Sequence, residues 1–121
     1  ILLVEDDPIN QEIACELLKE TGLDIDVADN GRQGVAKAAS VNYALILMDM
    51  QMPEMGGLEA TAIIRKIPER AWTPIIAMTA NAFDEDRERC INAGMSDFIA
   101  KPVVPEILFE TLAKWLSVPK S

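Results

Sequence analysis

Apolar and polar positions fall into alternating blocks along this chain. Five short runs read as strands: Ile1-Leu2-Leu3-Val4, Leu23-Asp24-Ile25-Asp26-Val27, Ala44-Leu45-Ile46-Leu47-Met48, Ile75-Ile76-Ala77-Met78 and Phe98-Ile99-Ala100. The continuous apolar runs suit buried parallel strands, whereas the alternation over 23–27 suits a half-exposed or edge strand. Helical stretches lie between them. The first starts at Pro8 with Asp7 able to cap it, carries Ile13, Ala14, Leu17 and Leu18 as one stripe, and stops at Gly22. The second follows the Asn30-Gly31 turn and covers roughly 33–39. The third spans about 58–67 and must end before Pro68. The fourth covers about 84–93, with Gly94 as its stop. Its middle, Asp84-Glu85-Asp86-Arg87-Glu88-Arg89, offers little to bury, so it is expected to be the least firmly packed helix. The fifth starts near Pro105 and turns Ile107, Leu108, Leu112, Trp115 and Leu116 inward. Five strand–helix units in succession predict an α/β fold, with a parallel sheet covered on both faces.

Composition narrows the function classes. The 121 residues suffice for one domain with a single core, and 50% of them are apolar, unlike a disordered chain. A net charge of −9 argues against a nucleic-acid surface, because backbone phosphates require Lys and Arg. No apolar stretch is long enough to span a membrane and no secretory signal precedes the first strand. The chain opens on a strand residue without an initiator Met, which is the expectation for a piece of a longer protein. Cys15 and Cys90 lie in different helices at no metal-type spacing and are expected to be free thiols of a reducing, cytoplasmic compartment. The chain has no histidine, which excludes histidine triads, histidine metal sites and a phosphohistidine of its own.

The chemistry gathers at strand ends. The first strand runs into Glu5-Asp6, the third into Asp49, the fourth into Thr79 and the fifth into Lys101. Open α/β sheets place their sites at that edge. Three carboxylates together cannot all stay ionised without compensation. A hard divalent cation, Mg²⁺, can supply it, and so can the ammonium of Lys101. Such a pocket suits an incoming phosphoryl group with Asp49 as nucleophile.

Four blocks carry a resemblance to the receiver domains of two-component response regulators over essentially the whole length. They are Leu2-Leu3-Val4-Glu5-Asp6-Asp7-Pro8, Met48-Asp49-Met50-Gln51-Met52-Pro53 with Met55-Gly56-Gly57, Met78-Thr79-Ala80, and Ala100-Lys101-Pro102. The resemblance implies a flavodoxin-like three-layer (βα)5 fold with sheet order 2-1-3-4-5, a single receiver domain over residues 1–121. It implies that Asp49 accepts a phosphoryl group from the phosphohistidine of a histidine kinase or histidine phosphotransfer domain. It further implies Mg²⁺ bound directly by Asp6, Asp49 and the backbone carbonyl of Gln51, with Glu5 acting through water. Lys101 would pair with the phosphoryl group, Thr79 would hydrogen-bond it, and Thr79 and Phe98 would switch the loops after the fourth and fifth strands together with the fourth helix. Asp7-Pro8-Ile9-Asn10-Gln11 and Cys90-Ile91-Asn92-Ala93-Gly94-Met95-Ser96-Asp97 resemble receivers of hybrid sensor kinases and phosphorelays.

The departures from the family pattern are Glu5 for aspartate, Phe98 for tyrosine and Gly56 for aspartate. Asp7 reads as a helix cap. Ile9 lies off the first helix's stripe, one turn from the site, and is expected to dock a partner helix. The rival reading, an aspartyl-phosphate hydrolase with slow turnover replaced by dedicated catalysis, would want a second aspartate where Gln51 stands. A flavin carrier would want a phosphate loop after the first strand, where this chain has carboxylates.

Overall fold

The computed structural model describes residues 1–50, 55–79, 84–101 and 103–116, with the backbone alone for 84–87. The elements run β1 (Leu2–Val4), α1 (Pro8–Lys19), β2 (Asp26–Ala28), α2 (Gly31–Ser40), β3 (Ile46–Asp49), α3 (Gly57–Arg65), a 3-10 turn (Pro68–Arg70), β4 (Ile75–Thr79), α4 (Asp84–Ala93), β5 (Asp97–Ala100) and α5 (Pro105–Leu116). The five strands form one parallel sheet of order β2-β1-β3-β4-β5.

Strand pleating divides the core in two. Leu2, Val4, Ile46, Met48, Ile75 and Ala77 face one layer, where Ala38 of α2, Ala60 and Ile64 of α3 and Cys90 of α4 meet them. Leu3, Leu47, Ile76, Met78 and Ile99 face the other, against Ala14 and Leu18 of α1 and Leu108 and Leu112 of α5. Side chains of a strand alternate between faces, so a continuous apolar run is what a sheet buried on both faces requires.

Local signals account for the helix ends. Asp7 caps α1, its Oδ1 accepting the Ile9 N–H at 2.9 Å. Asn30 Oδ1 accepts the Gln33 N–H at 2.9 Å, while the Gln33 side chain accepts the Asp29 N–H at 3.0 Å. This reciprocal cap starts α2 at Gly31, earlier than the expected 33. Gly94 ends α4 with φ of +104°, in the left-handed region.

Three further expectations are corrected. β2 occupies Asp26–Ala28 and not 23–27, because its register with β1 pairs Leu2 with Asp26 and Val4 with Ala28. Ile13 is 51% exposed: the inward line of α1 runs through Ala14 and Leu18, four residues apart, and Ile13 lies about 100° from Ala14. Ile107 is likewise exposed, since Leu108 and Leu112 carry the burial of α5. Among the described side chains of α4, Cys90 is buried, whereas Glu88, Arg89, Ile91 and Asn92 are exposed. Cys15 and Cys90 are both free thiols. Among the described residues, no helix is long and apolar enough to cross a membrane.

Candidate functional site

The sheet register brings the strand ends together. Val4 lies beside Met48, so the next residues, Glu5 and Asp49, leave the sheet side by side. Asp49 pairs with Met78 and Thr79 with Ala100, which places Lys101 one step beyond Thr79. The Lys101 N–H donates to the Thr79 carbonyl at 2.7 Å, which carries β5 pairing to the site itself.

Glu5 and Asp49 are only 2% and 3% exposed, and Thr79 is also buried. Lys101 Nζ lies 3.0 Å from Asp49 Oδ1 and 3.2 Å from Glu5 Oε2. Burial raises the pKa of Glu5 above the ordinary carboxylate value, and nearby Asp49 raises it further; Lys101 and the Asp7 N–H, 3.2 Å from Oε1, partly oppose them. For Lys101, burial alone would lower the pKa, but its contacts with Asp49 and Glu5 outweigh that and hold the ammonium above its ordinary value. The ammonium therefore stays charged at neutral pH and compensates two buried carboxylates.

Glu5, Asp6 and Asp49 each offer a carboxylate oxygen, and these oxygens lie within 4.8 Å of one another. Such hard oxygen donors fit Mg²⁺. Gln51, the expected carbonyl ligand, lies outside the described residues, as do Met52, Pro53, Ala80 and Pro102 of the sequence blocks.

The two remaining expected residues have distinct settings. Phe98 is half-buried against the core layer that holds Cys90 and Met95. Ile9 is 68% exposed near the start of α1. A cavity of about 100 Å³ adjoins the Lys101–Glu5 pair, lined by Asn10, Ile13, Ala14, Met78 and Val103. Sequence reading missed two contributors. Gly57 is one: a Cβ there would sit 2.5 Å from the Asp49 carbonyl oxygen, so only glycine lets α3 start this close. The other is Gln11, whose amide donates to the Glu5 carbonyl oxygen and to Asp29. The Met55-Gly56-Gly57 block was a signal for the first; the second closes the Asp7-Pro8-Ile9-Asn10-Gln11 block, which gave no sign of these contacts.

With the sheet order and the acidic strand-end cluster in place, comparison with known proteins settles the class. Residues 1–113 match the response regulator receiver domain, and the chain belongs to that family of signalling domains. Among its relatives is the signal transduction histidine-protein kinase BarA of Escherichia coli K12, 37% identical over 95% of this chain. Hybrid signal transduction histidine kinase I of Dictyostelium discoideum is 40% identical over 93% of it. The chain spans 12% of the first relative and 7% of the second. The receiver domain of sensor histidine kinase PA1611 from Pseudomonas aeruginosa PAO1 was solved with a magnesium ion coordinated in the active site cleft. It superposes with TM-score 0.91 at 40% identity, covering 97% of this chain and 96% of that one. The Saccharomyces cerevisiae receiver domain of Ssk1, solved with the histidine phosphotransfer protein Ypd1, gives TM-score 0.88 at 29% identity, covering 94% and 86%.

Proposed function

We propose that this receiver domain accepts a phosphoryl group on Asp49 from a phosphohistidine of a histidine kinase or histidine phosphotransfer domain. The observation that carries the reading is the Lys101 ammonium bridging Asp49 and Glu5 beside the Glu5–Asp6–Asp49 carboxylate cluster. The chain lacks histidine, so the donor histidine belongs to another domain.

An Asp49 carboxylate oxygen attacks phosphorus, the bond from phosphorus to the donor's imidazole nitrogen breaks, and that nitrogen keeps the electron pair and takes up a proton. Asp6 and Asp49 would hold Mg²⁺, with Glu5 acting through water and the Gln51 carbonyl as the further ligand the family resemblance implies, and the ion would supply positive charge against the carboxylates and the phosphoryl oxygens. Lys101 exchanges its contact with the Asp49 oxygen for one with the phosphoryl group. Thr79 donates its hydroxyl to the same group. The new charge draws on Thr79 and Lys101, and the loops after β4 and β5, Phe98 and α4 repack as a two-state switch. Phe98 has no hydroxyl, so its part is one of packing.

Hydrolysis of the acyl phosphate is slow in this reading, and the domain is an acceptor rather than a dedicated enzyme. Hybrid signal transduction histidine kinase I supports a place in a hybrid kinase; a cytoplasmic phosphorelay is part of the same proposal. The Ypd1–Ssk1 complex supports a phosphotransfer domain as a partner. Exposed Ile9 and Ile13, on the α1 side of the site, supply an apolar surface for the partner's helix.

Incubation with Mg²⁺ and a small phosphodonor should add one phosphoryl mass to the domain, lost in Asp49→Ala. Undiminished labelling of Asp49→Ala would overturn the assignment.

A further inference from the structure

Gln11 lies one turn into α1, and its side-chain nitrogen makes two hydrogen bonds to two different strand ends. Nε2 donates to the carbonyl oxygen of Glu5 at 2.5 Å and to Asp29 Oδ1 at 2.9 Å. An amide nitrogen carries two hydrogens, so both are used. The Glu5 carbonyl belongs to the peptide that joins Glu5 to Asp6. The orientation of that peptide sets the directions in which both acidic side chains leave β1.

The surroundings isolate this effect. The Glu5 N–H donates to the Ala28 carbonyl at 3.1 Å, so pairing between the ends of β1 and β2 does not depend on Gln11. The Asp29 N–H is held by Gln33, so the β2–α2 loop has a tie besides Gln11. The negative charge of Asp29 strengthens the grip on the Gln11 amide. What Gln11 alone supplies, among the described contacts, is a fixed Glu5–Asp6 peptide.

We infer that Gln11 is a positioning residue for the Mg²⁺ site, locking the Glu5–Asp6 peptide so that the carboxylate cluster is preorganised for the cation. The inference rests on the proposed reading of the pocket as a Mg²⁺ site. Partners of metal-binding groups typically change metal affinity by about 10-fold or more when removed.

The test is calorimetric titration of Mg²⁺ into wild type, Gln11→Leu and Gln11→Arg, with melting temperatures taken without metal. Gln11→Leu should bind Mg²⁺ about 10-fold more weakly. Gln11→Arg, whose guanidinium can donate to both acceptors, should retain wild-type affinity. With a small phosphodonor, Gln11→Leu should need more Mg²⁺ for half-maximal labelling yet reach the wild-type rate at saturation. Unaltered Mg²⁺ binding by Gln11→Leu overturns the inference. Equally weak binding by Gln11→Arg, at a wild-type metal-free melting temperature, overturns it too, because affinity would then not follow the hydrogen bond to the peptide. Wild type that takes up no Mg²⁺ removes the reading of the pocket itself, and this inference with it.

Discussion

Lys101 Nζ stands 3.0 Å from Asp49 Oδ1, an ion pair between the ends of β3 and β5. The same ammonium also reaches Glu5, so its loss strands two buried carboxylates. Lys101→Met should cost on the order of 2 kcal/mol of metal-free stability at neutral pH, less than a fully buried pair because the lysine is partly exposed. The sign with pH follows from Glu5, whose pKa is already raised by burial and by Asp49. Removing the opposing ammonium raises it further. A raised carboxylate favours folding only when protonated, so the deficit should grow above pH 4.5 and shrink below it. Denaturant unfolding across pH checks this, and added Mg²⁺ should recover part of the loss.

Gly57 holds the start of α3 against the residue the phosphoryl group would modify. Gly57→Ala would put a methyl 2.5 Å from the Asp49 carbonyl oxygen and 3.1 Å from Met50 Cα. The contacts are backbone and cannot swing aside. We expect a loss of about 1–3 kcal/mol and slower labelling of Asp49 by a small phosphodonor. Equal stability and rate would show that the loop relaxes without disturbing the site.

Tyr43 is the single tyrosine of the chain, so its titration can be followed without ambiguity. Burial raises its pKa to about 12, helped by the hydrogen bond its hydroxyl donates to Asp26 Oδ2 at 2.7 Å. The stability this protonated phenol contributes is present below pH 10 and lost as pH rises through 12. Tyrosinate absorbance should report that late midpoint in the native domain. Asp26→Asn should lower it, yet leave it above 10 because burial remains.

Thr61 of α3 is fully buried and its Oγ1 has no hydrogen-bond partner among the described residues. Valine has nearly the same shape without the hydroxyl. Thr61→Val should stabilise the domain by roughly 1 kcal/mol, read from the denaturation midpoint. A destabilised variant would reveal a partner for the hydroxyl.

Ile9 tests the docking surface apart from the chemistry. Its exposed side chain leaves Asp7 capping through the backbone N–H, which any residue but proline provides. Ile9→Asp should slow transfer from a phosphorylated histidine phosphotransfer domain and leave labelling by a small phosphodonor intact. Equal loss of both would place Ile9 in the site and not on the partner surface.

Strand ends and their chemistry could be read from the chain because each is a local signal. An apolar run, then a carboxylate, a hydroxyl or an ammonium, marks where a buried strand stops. Asp49, Glu5, Asp6, Thr79 and Lys101 therefore stood out before any packing was known. Helix facing was harder. Ile13 and Ile107 look as apolar as Leu18 and Leu108, and only contact with the sheet decides which of them is buried.

Strand periodicity, the cap at Asp7, and residue types at strand ends follow from short-range steric and hydrogen-bonding rules, so the chain alone specifies them. Distances depend on register and on close approach between distant segments. The Lys101 bridge joins residues 96 positions apart. Gln11 reaches two strand ends at once, and Gly57 admits a helix start against Asp49. Those relationships exist only after the sheet has closed its order, because no local rule tells a side chain which distant backbone it will meet.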